Sequence, residues 1–67
     1  MKRFMIDTNF NWLGASKPAL SHEEARRLGL QENERVTVYQ DDDEWEALVK
    51  YDDSLPYQYR WYVILQD

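Results

Sequence analysis

The stretch that decides the fold is WEALVKY, residues 45–51, in which apolar and polar side chains alternate. Alternation with a period of two is typical of a β-strand that has one buried and one exposed face. Trp45, Ala47, Val49 and Tyr51 fall on the more apolar face. The stretch therefore predicts a central strand that packs on a core through these four side chains.

Further strand-like segments flank this stretch on both sides. Upstream, RVTVYQ (residues 35–40) is rich in β-branched and aromatic residues, and downstream residues 57–66 alternate again. The polar runs DDDE (residues 41–44) and DDSLP (residues 52–56) predict the two connecting turns. We therefore expect an antiparallel meander, which FMI (residues 4–6) extends into a small curved sheet or barrel.

Between FMI and the meander, local signals predict one short helix at about residues 22–28. Ser21 and Glu24 form a capping box, in which the serine hydroxyl accepts a hydrogen bond from the Glu24 amide. Gly29 suits the left-handed position that ends many helices. A helix this short must dock on other elements, and here it would close one open end of the sheet. The predicted fold class is mainly β with one short helix.

Length and composition limit the possible functions. The 67 residues allow one small domain, residues 1–67, and the absence of Cys excludes disulfides and thiolate–zinc sites. No apolar run approaches the ~20 residues of a membrane span, and no signal-peptide pattern follows Met1, so we expect a cytoplasmic location. The single histidine, His22, is expected to be exposed in the first helical turn. We expect no catalysis, cofactor or metal, since no phosphate loop or ligand cluster is present.

The chain is acidic, with 13 acids against eight bases and a formal net charge of −5. Seven acids lie within residues 41–53, against Lys50 alone. Six of the seven form two clusters, Asp41–Glu44 and Asp52–Asp53, at opposite ends of the central strand and therefore roughly 20 Å apart. This charge disfavours nucleic acid and anionic membranes as partners. Both a solvated surface that prevents aggregation and a docking surface for a basic partner fit the pattern.

Three motifs follow one another in an order that a known family also has. LGLQENERVTV (residues 28–38) places a polar turn before a Val-rich strand, DDEWEA (residues 42–47) places acids before Trp and Ala, and WYVIL (residues 61–65) closes the chain. Together they resemble SH3 domains, which implies an SH3-like small β-barrel. The N-terminal half lacks that family's Ala-Leu-Tyr-Asp-Tyr motif, and a helix replaces an extended loop.

The resemblance also implies a binding site. Trp45 and Tyr62 would line a groove for a proline-rich peptide, and Asp42, Asp43 and Glu44 would attract a basic residue of that peptide. A further aromatic residue, Trp12, lies in a long loop predicted between FMI and the helix, where it either caps the barrel or anchors a partner. Trp45 is likewise either a core residue or a surface anchor.

Two functions remain open on this basis. The first is a small non-enzymatic interaction module that docks a basic peptide or protein surface. The alternative is an acidic mimic of nucleic acid that inhibits a nucleic-acid-binding protein, in which case the acids matter more than Trp45. The mixed face of Tyr62 and Ile64, which Tyr39 and Leu48 could extend, meets either solvent or a second subunit. A monomer or a weak homodimer is therefore expected.

Overall fold

Five strands form one mixed sheet that curls into a half-barrel. The computed structural model describes residues 1–66, and Asp67, the last residue of the predicted domain, lies outside the described residues. The elements are β1 (Lys2–Met5), β2 (Ala19–Leu20), α1 (His22–Leu28), β3 (Arg35–Gln40), β4 (Asp43–Tyr51), a 3₁₀ turn (Tyr57–Tyr59) and β5 (Trp61–Gln66). The predicted fold class, mainly β with one short helix, is confirmed.

The strand order across the sheet is β1-β3-β4-β5-β2. The meander of β3, β4 and β5 is antiparallel, as predicted. Strand β1, however, lies parallel to β3, so the sheet is mixed and not purely antiparallel. The long connection through β2 and α1 allows this arrangement, because parallel neighbours need a crossover and cannot be joined by a tight turn.

The connection between β3 and β4 is a tighter hairpin than the sequence predicted. Gln40 pairs directly with Asp43, so the turn consists of Asp41 and Asp42 alone. Asp41 has a φ of 53°, a left-handed conformation that Asp tolerates better than most residues do. Strand β4 therefore begins two residues before Trp45 and carries Asp43 into the sheet.

Helix α1 begins and ends where its capping signals predicted, but only half of the capping box forms, because the Glu24 carboxylate accepts hydrogen bonds from the Arg27 guanidinium. The Ser21 hydroxyl accepts a hydrogen bond from the Glu24 amide at 3.0 Å. Gly29 has a φ of 65°, and the Leu30 amide donates to the Ala25 carbonyl at 3.0 Å. This reversal returns Leu30 to the core beside Ala25, which docks the short helix on the concave face of the sheet.

The core lies on the concave face, and four valines from the sheet form its fully buried centre. Val36, Val38, Val49 and Val63 have no exposed surface. Four hydrophobic side chains pack against it and are partly exposed: Leu28, Trp45, Trp61 and Leu65. Within residues 1–66, no helix has the length and apolar character that crossing a membrane requires.

Candidate functional site

The two aromatic residues expected to share a groove lie on opposite faces of the sheet. Trp45 is paired with the buried Val38 and contacts the core. Tyr62 is paired with Lys50 and precedes the buried Val63, so its side chain points to the convex face. Trp45 lies on the concave face and Tyr62 on the convex face, so the sheet separates the two rings. The prediction that they line one groove is therefore wrong.

Tyr62 is associated with the second acidic cluster and not with the first. Burial raises the pKa of its phenol above the ordinary value of 10.0, and the negative charges of Asp52 and Glu32 raise it further. Both acids lie beyond the end of β4 that is remote from Trp45. Tyr62 therefore cannot contribute to a site at the β3–β4 hairpin.

Trp45 instead lines an open depression of about 460 Å³ at the base of the β3–β4 hairpin. We call this the Trp45 depression. Three elements form its wall: the loop after β1, the β3–β4 hairpin and the end of β5. The lining residues are Thr8, Ala15, Ser16, Gln40, Asp43, Trp45 and Leu65. An indole and a carboxylate thus share one concave surface, on which Asp43 and Trp45 follow each other at the two-residue spacing of one strand face.

Hydrogen bonds hold the loop against the two strands and keep this shape. The Thr8 amide donates to the Gln40 side-chain oxygen at 2.7 Å. At the opposite wall, the Leu65 amide donates to the Ser16 carbonyl at 2.9 Å. These two bonds attach the loop to β3 on one side of the depression and to β5 on the other.

The carboxylates at the hairpin are used in two different ways. Asp41, Asp42 and Asp43 are exposed, and no ion pair found within residues 1–66 includes them. We call these three residues the acidic tip. Glu44, by contrast, accepts a hydrogen bond from the Arg3 guanidinium at 2.7 Å, on the opposite face of the strand from Asp43. Of the predicted acids, Asp43 shares the depression with Trp45, Asp42 is exposed in the adjoining turn, and Glu44 is paired with Arg3 on the convex face.

The second acidic cluster forms part of a turn. One Asp52 oxygen accepts hydrogen bonds from the Ser54 amide at 2.9 Å and the Ser54 hydroxyl at 2.6 Å. These bonds hold the pKa of Asp52 below its ordinary 3.8. The Asp52 amide donates to the Arg60 carbonyl at 3.0 Å, which closes the turn before β5. With nine residues in β4, the two clusters are about 26 Å apart.

Trp12 is a surface residue with 57% of its area exposed. Its ring lies 5.3 Å from the ring of Tyr59, and Phe10 lies 5.2 Å from the same ring. These aromatic contacts hold the loop on the 3₁₀ turn, which lies near the start of β5. Trp45 lies near the end of β5. The structure therefore does not bring Trp12 and Trp45 into one site.

Sequence reasoning missed the partner of His22. The His22 ring is half-buried and stacks on Tyr57 with 4.0 Å between centroids, and its Nε2 lies 2.8 Å from the Tyr57 carbonyl oxygen. These residues are 35 positions apart, so no local signal could have predicted the contact. Across residues 1–66, no group of three or more His, Cys, Asp or Glu side chains has a geometry that could hold a metal ion.

The curled sheet is compatible with the SH3-like fold that the motifs imply. No family model, no curated protein and no solved structure matches the chain.

Proposed function

We propose that the protein is a small non-enzymatic interaction module that docks a basic segment of a peptide or protein at the Trp45 depression. The observation that carries the proposal is the pairing of Trp45 with Asp43 in one depression, beside two further exposed carboxylates. A cationic side chain is the ligand that such a surface complements, because an indole face and a carboxylate both attract positive charge.

The expected contact involves a single Arg or Lys side chain. Its aliphatic stem covers the indole of Trp45, and its charged end reaches the Asp43 carboxylate. A cation on an aromatic face contributes about 0.5–2 kcal/mol, and an exposed charge pair contributes about 0.2–1 kcal/mol. One such residue gives weak binding, so we expect a partner segment that carries several basic residues.

The rest of the acidic tip adds attraction at longer range. Asp41 and Asp42 flank the depression without a base against them in the described chain. Exposed charges of one sign increase the rate of association with an oppositely charged partner, and salt weakens this effect. Binding is therefore expected to weaken as ionic strength rises.

Calorimetric titration with an Arg-rich Gly-Ser peptide tests the proposal, with a peptide carrying Gln in place of each Arg as the control ligand. Asp43→Asn is expected to weaken binding about three- to tenfold, because it removes the carboxylate from the depression. Asp53→Asn is the matched control at the other end of β4 and is expected to leave the affinity unchanged. Trp45→Phe keeps a ring in place and is expected to weaken binding by a smaller factor, since indole is the strongest cation acceptor.

Two results would overturn the proposal. Equal affinity for the Arg and Gln peptides would show that positive charge is not recognised. Equal losses from Asp43→Asn and Asp53→Asn, with no change from Trp45→Phe, would favour the alternative, a nucleic-acid mimic that uses both acidic clusters.

A further inference from the structure

A second surface, remote from the Trp45 depression, is the convex face of the sheet. Helix α1 contributes Ala25 to the core on the concave face, and all five strands described within residues 1–66 belong to the one sheet. Leu48, Ile64 and Tyr62 are only half-buried there. An open depression of about 250 Å³ lies beside Leu48.

The strand register arranges this face in three rows that run across the strands. The middle row is mainly apolar, and a row with a charged residue lies on each side of it. From one end to the other, the rows are Lys50 and Tyr62, then Arg35, Leu48 and Ile64, then Arg3, Thr37, Glu46 and Gln66. Lys50 and Glu46 thus lie two residues on either side of Leu48. The Lys50 ammonium donates a hydrogen bond to the Asn33 side-chain oxygen at 2.7 Å, a neutral partner that leaves its positive charge uncompensated.

We infer that the convex face binds a second copy of this chain. Consider a two-fold axis that lies in the interface and follows the middle row. Rotation about it places Leu48 and Ile64 against Leu48 and Ile64 of the partner subunit. It places Lys50 against Glu46 of the partner subunit, and the same contact recurs on the other side of the axis. A surface that complements itself in this way is what a two-fold dimer requires.

The polar ends of the outer rows fit the same rotation. Tyr62 meets Gln66 of the partner subunit, so a phenol faces a side-chain amide that can donate or accept a hydrogen bond. The same rotation places Arg35, at the edge of the middle row, against Arg35 of the partner subunit. Each long side chain can turn away from the other to Glu46 of the partner subunit, one diagonal step away. The strands of the two sheets then stack in the aligned manner of a β-sandwich.

The dimer is expected to be weak. Four strands about 4.8 Å apart and about six residues long present an area of only roughly 15 by 20 Å, which is below that of a standard interface. The formal net charge of −5 also makes the two copies repel each other. The concave faces point away from the interface, so both Trp45 depressions stay open and a dimer could engage two basic segments together.

Sedimentation equilibrium on the full chain tests the inference, from about 10 µM to about 1 mM, where a weak dimer dissociates. Glu46→Lys places Lys against Lys, and Lys50→Glu places Glu against Glu, so each variant is expected to raise the dimer dissociation constant roughly tenfold or more. Glu23→Lys and Arg26→Glu make the same charge changes on exposed positions of α1 and serve as matched controls. Circular dichroism checks that each variant is folded.

Restoration of the dimer separates this contact from a general effect of charge or folding. The double variant Glu46→Lys/Lys50→Glu is expected to dimerise as the original chain does. An equimolar mixture of the two single variants is expected to form a heterodimer, because every Lys then faces a Glu. A monomer over the whole concentration range, or equal losses in the α1 controls, would overturn the inference. Failure here leaves the peptide titration unaffected, since that experiment reports on the concave face.

Discussion

The two ends of strand β4 carry the same kinds of residues, an aromatic ring and a cluster of aspartates, and use them differently. At the hairpin end, Trp45 and Asp43 line an open depression. Asp41 and Asp42 remain exposed beside it. This end keeps both its ring and its carboxylates available to a ligand.

At the other end, the aromatic ring and the first aspartate are both occupied by contacts within the chain. Tyr51 packs on Trp61 with 4.9 Å between ring centroids and meets His22 edge-on at 6.3 Å. Asp52 receives both of its hydrogen bonds from Ser54. The ring and the carboxylate at this end therefore stabilise the turn that leads to β5.

The difference shows that residue type does not determine role in a domain this small. What decides it is the segment that follows each end: Ser54 and Arg60 form hydrogen bonds with Asp52 in the turn after β4, whereas the β3–β4 hairpin has only two residues in its turn. Substitutions at the two ends of β4 should therefore have different effects, on stability at the Tyr51 end and on binding at the proposed site beside Trp45.

The largest expected effect is the loss of the indole at the structural end. Trp61→Ala is expected to lower the free energy of unfolding by about 2–4 kcal/mol, because the ring packs on both the core and Tyr51. Trp45→Ala is expected to cost less, since part of that ring faces the open depression. Urea unfolding measures both. A cost for Trp45→Ala as large as that for Trp61→Ala would make Trp45 a core residue and contradict the comparison.

A second expected effect is that acid lowers the free energy of unfolding through Glu34 and Asp52, two carboxylates outside the acidic tip. Hydrogen bonds from Lys2 and from the Gln31 amide hold the pKa of Glu34 below its ordinary 4.5, and Ser54 does the same for Asp52 relative to 3.8. A carboxylate with a lowered folded pKa adds stability above its unfolded pKa, and this stability is lost as pH falls through the folded value. Urea unfolding from pH 6 downwards should therefore show weakening that begins near 4.5 and is reduced in Glu34→Gln.

The smallest expected effects are changes in stability on replacing one Asp by Asn, and these changes are expected to have opposite signs in the two acidic clusters. Asp52→Asn weakens the acceptor of the Ser54 bonds and is expected to lower stability. Asp41→Asn relieves repulsion within the acidic tip, and Asn adopts the left-handed conformation of this position readily, so stability is expected to rise slightly. Thermal unfolding at neutral pH measures both. A loss of stability in Asp41→Asn would show that the acidic tip is itself structural.

The sequence pattern predicted the meander and the helix because both follow from local rules. Strand alternation identifies Ala47 and Val49 as core residues, and the cap at Ser21 defines the helix start. The parallel pairing of β1 with β3 depends on a crossover through β2 and α1. The hydrophobic periodicity of the sequence does not predict such a long-range connection. The stack of His22 on Tyr57 was missed for the same reason.

The error at the site had a different origin. Alternation along β4 and β5 already assigns Trp45 to the apolar face and Tyr62 to the mixed one. The resemblance to SH3 domains placed the two rings together, and the register of the sheet separates them. The depression itself could not be predicted, because the loop residues that form its wall, Thr8 and Ser16, reach β3 and β5 only through long-range hydrogen bonds.

Chemical-shift mapping by NMR tests the central claim most directly, namely that the hairpin end of β4 docks basic side chains. When the Arg-rich peptide is added to the labelled chain, we expect the Trp45 indole N–H and the backbone amides of residues 41–45 to shift. The amides of residues 57–61 should remain in place. Shifts confined to residues 57–61 or to Trp12, with an unmoved Trp45 indole, would contradict the account.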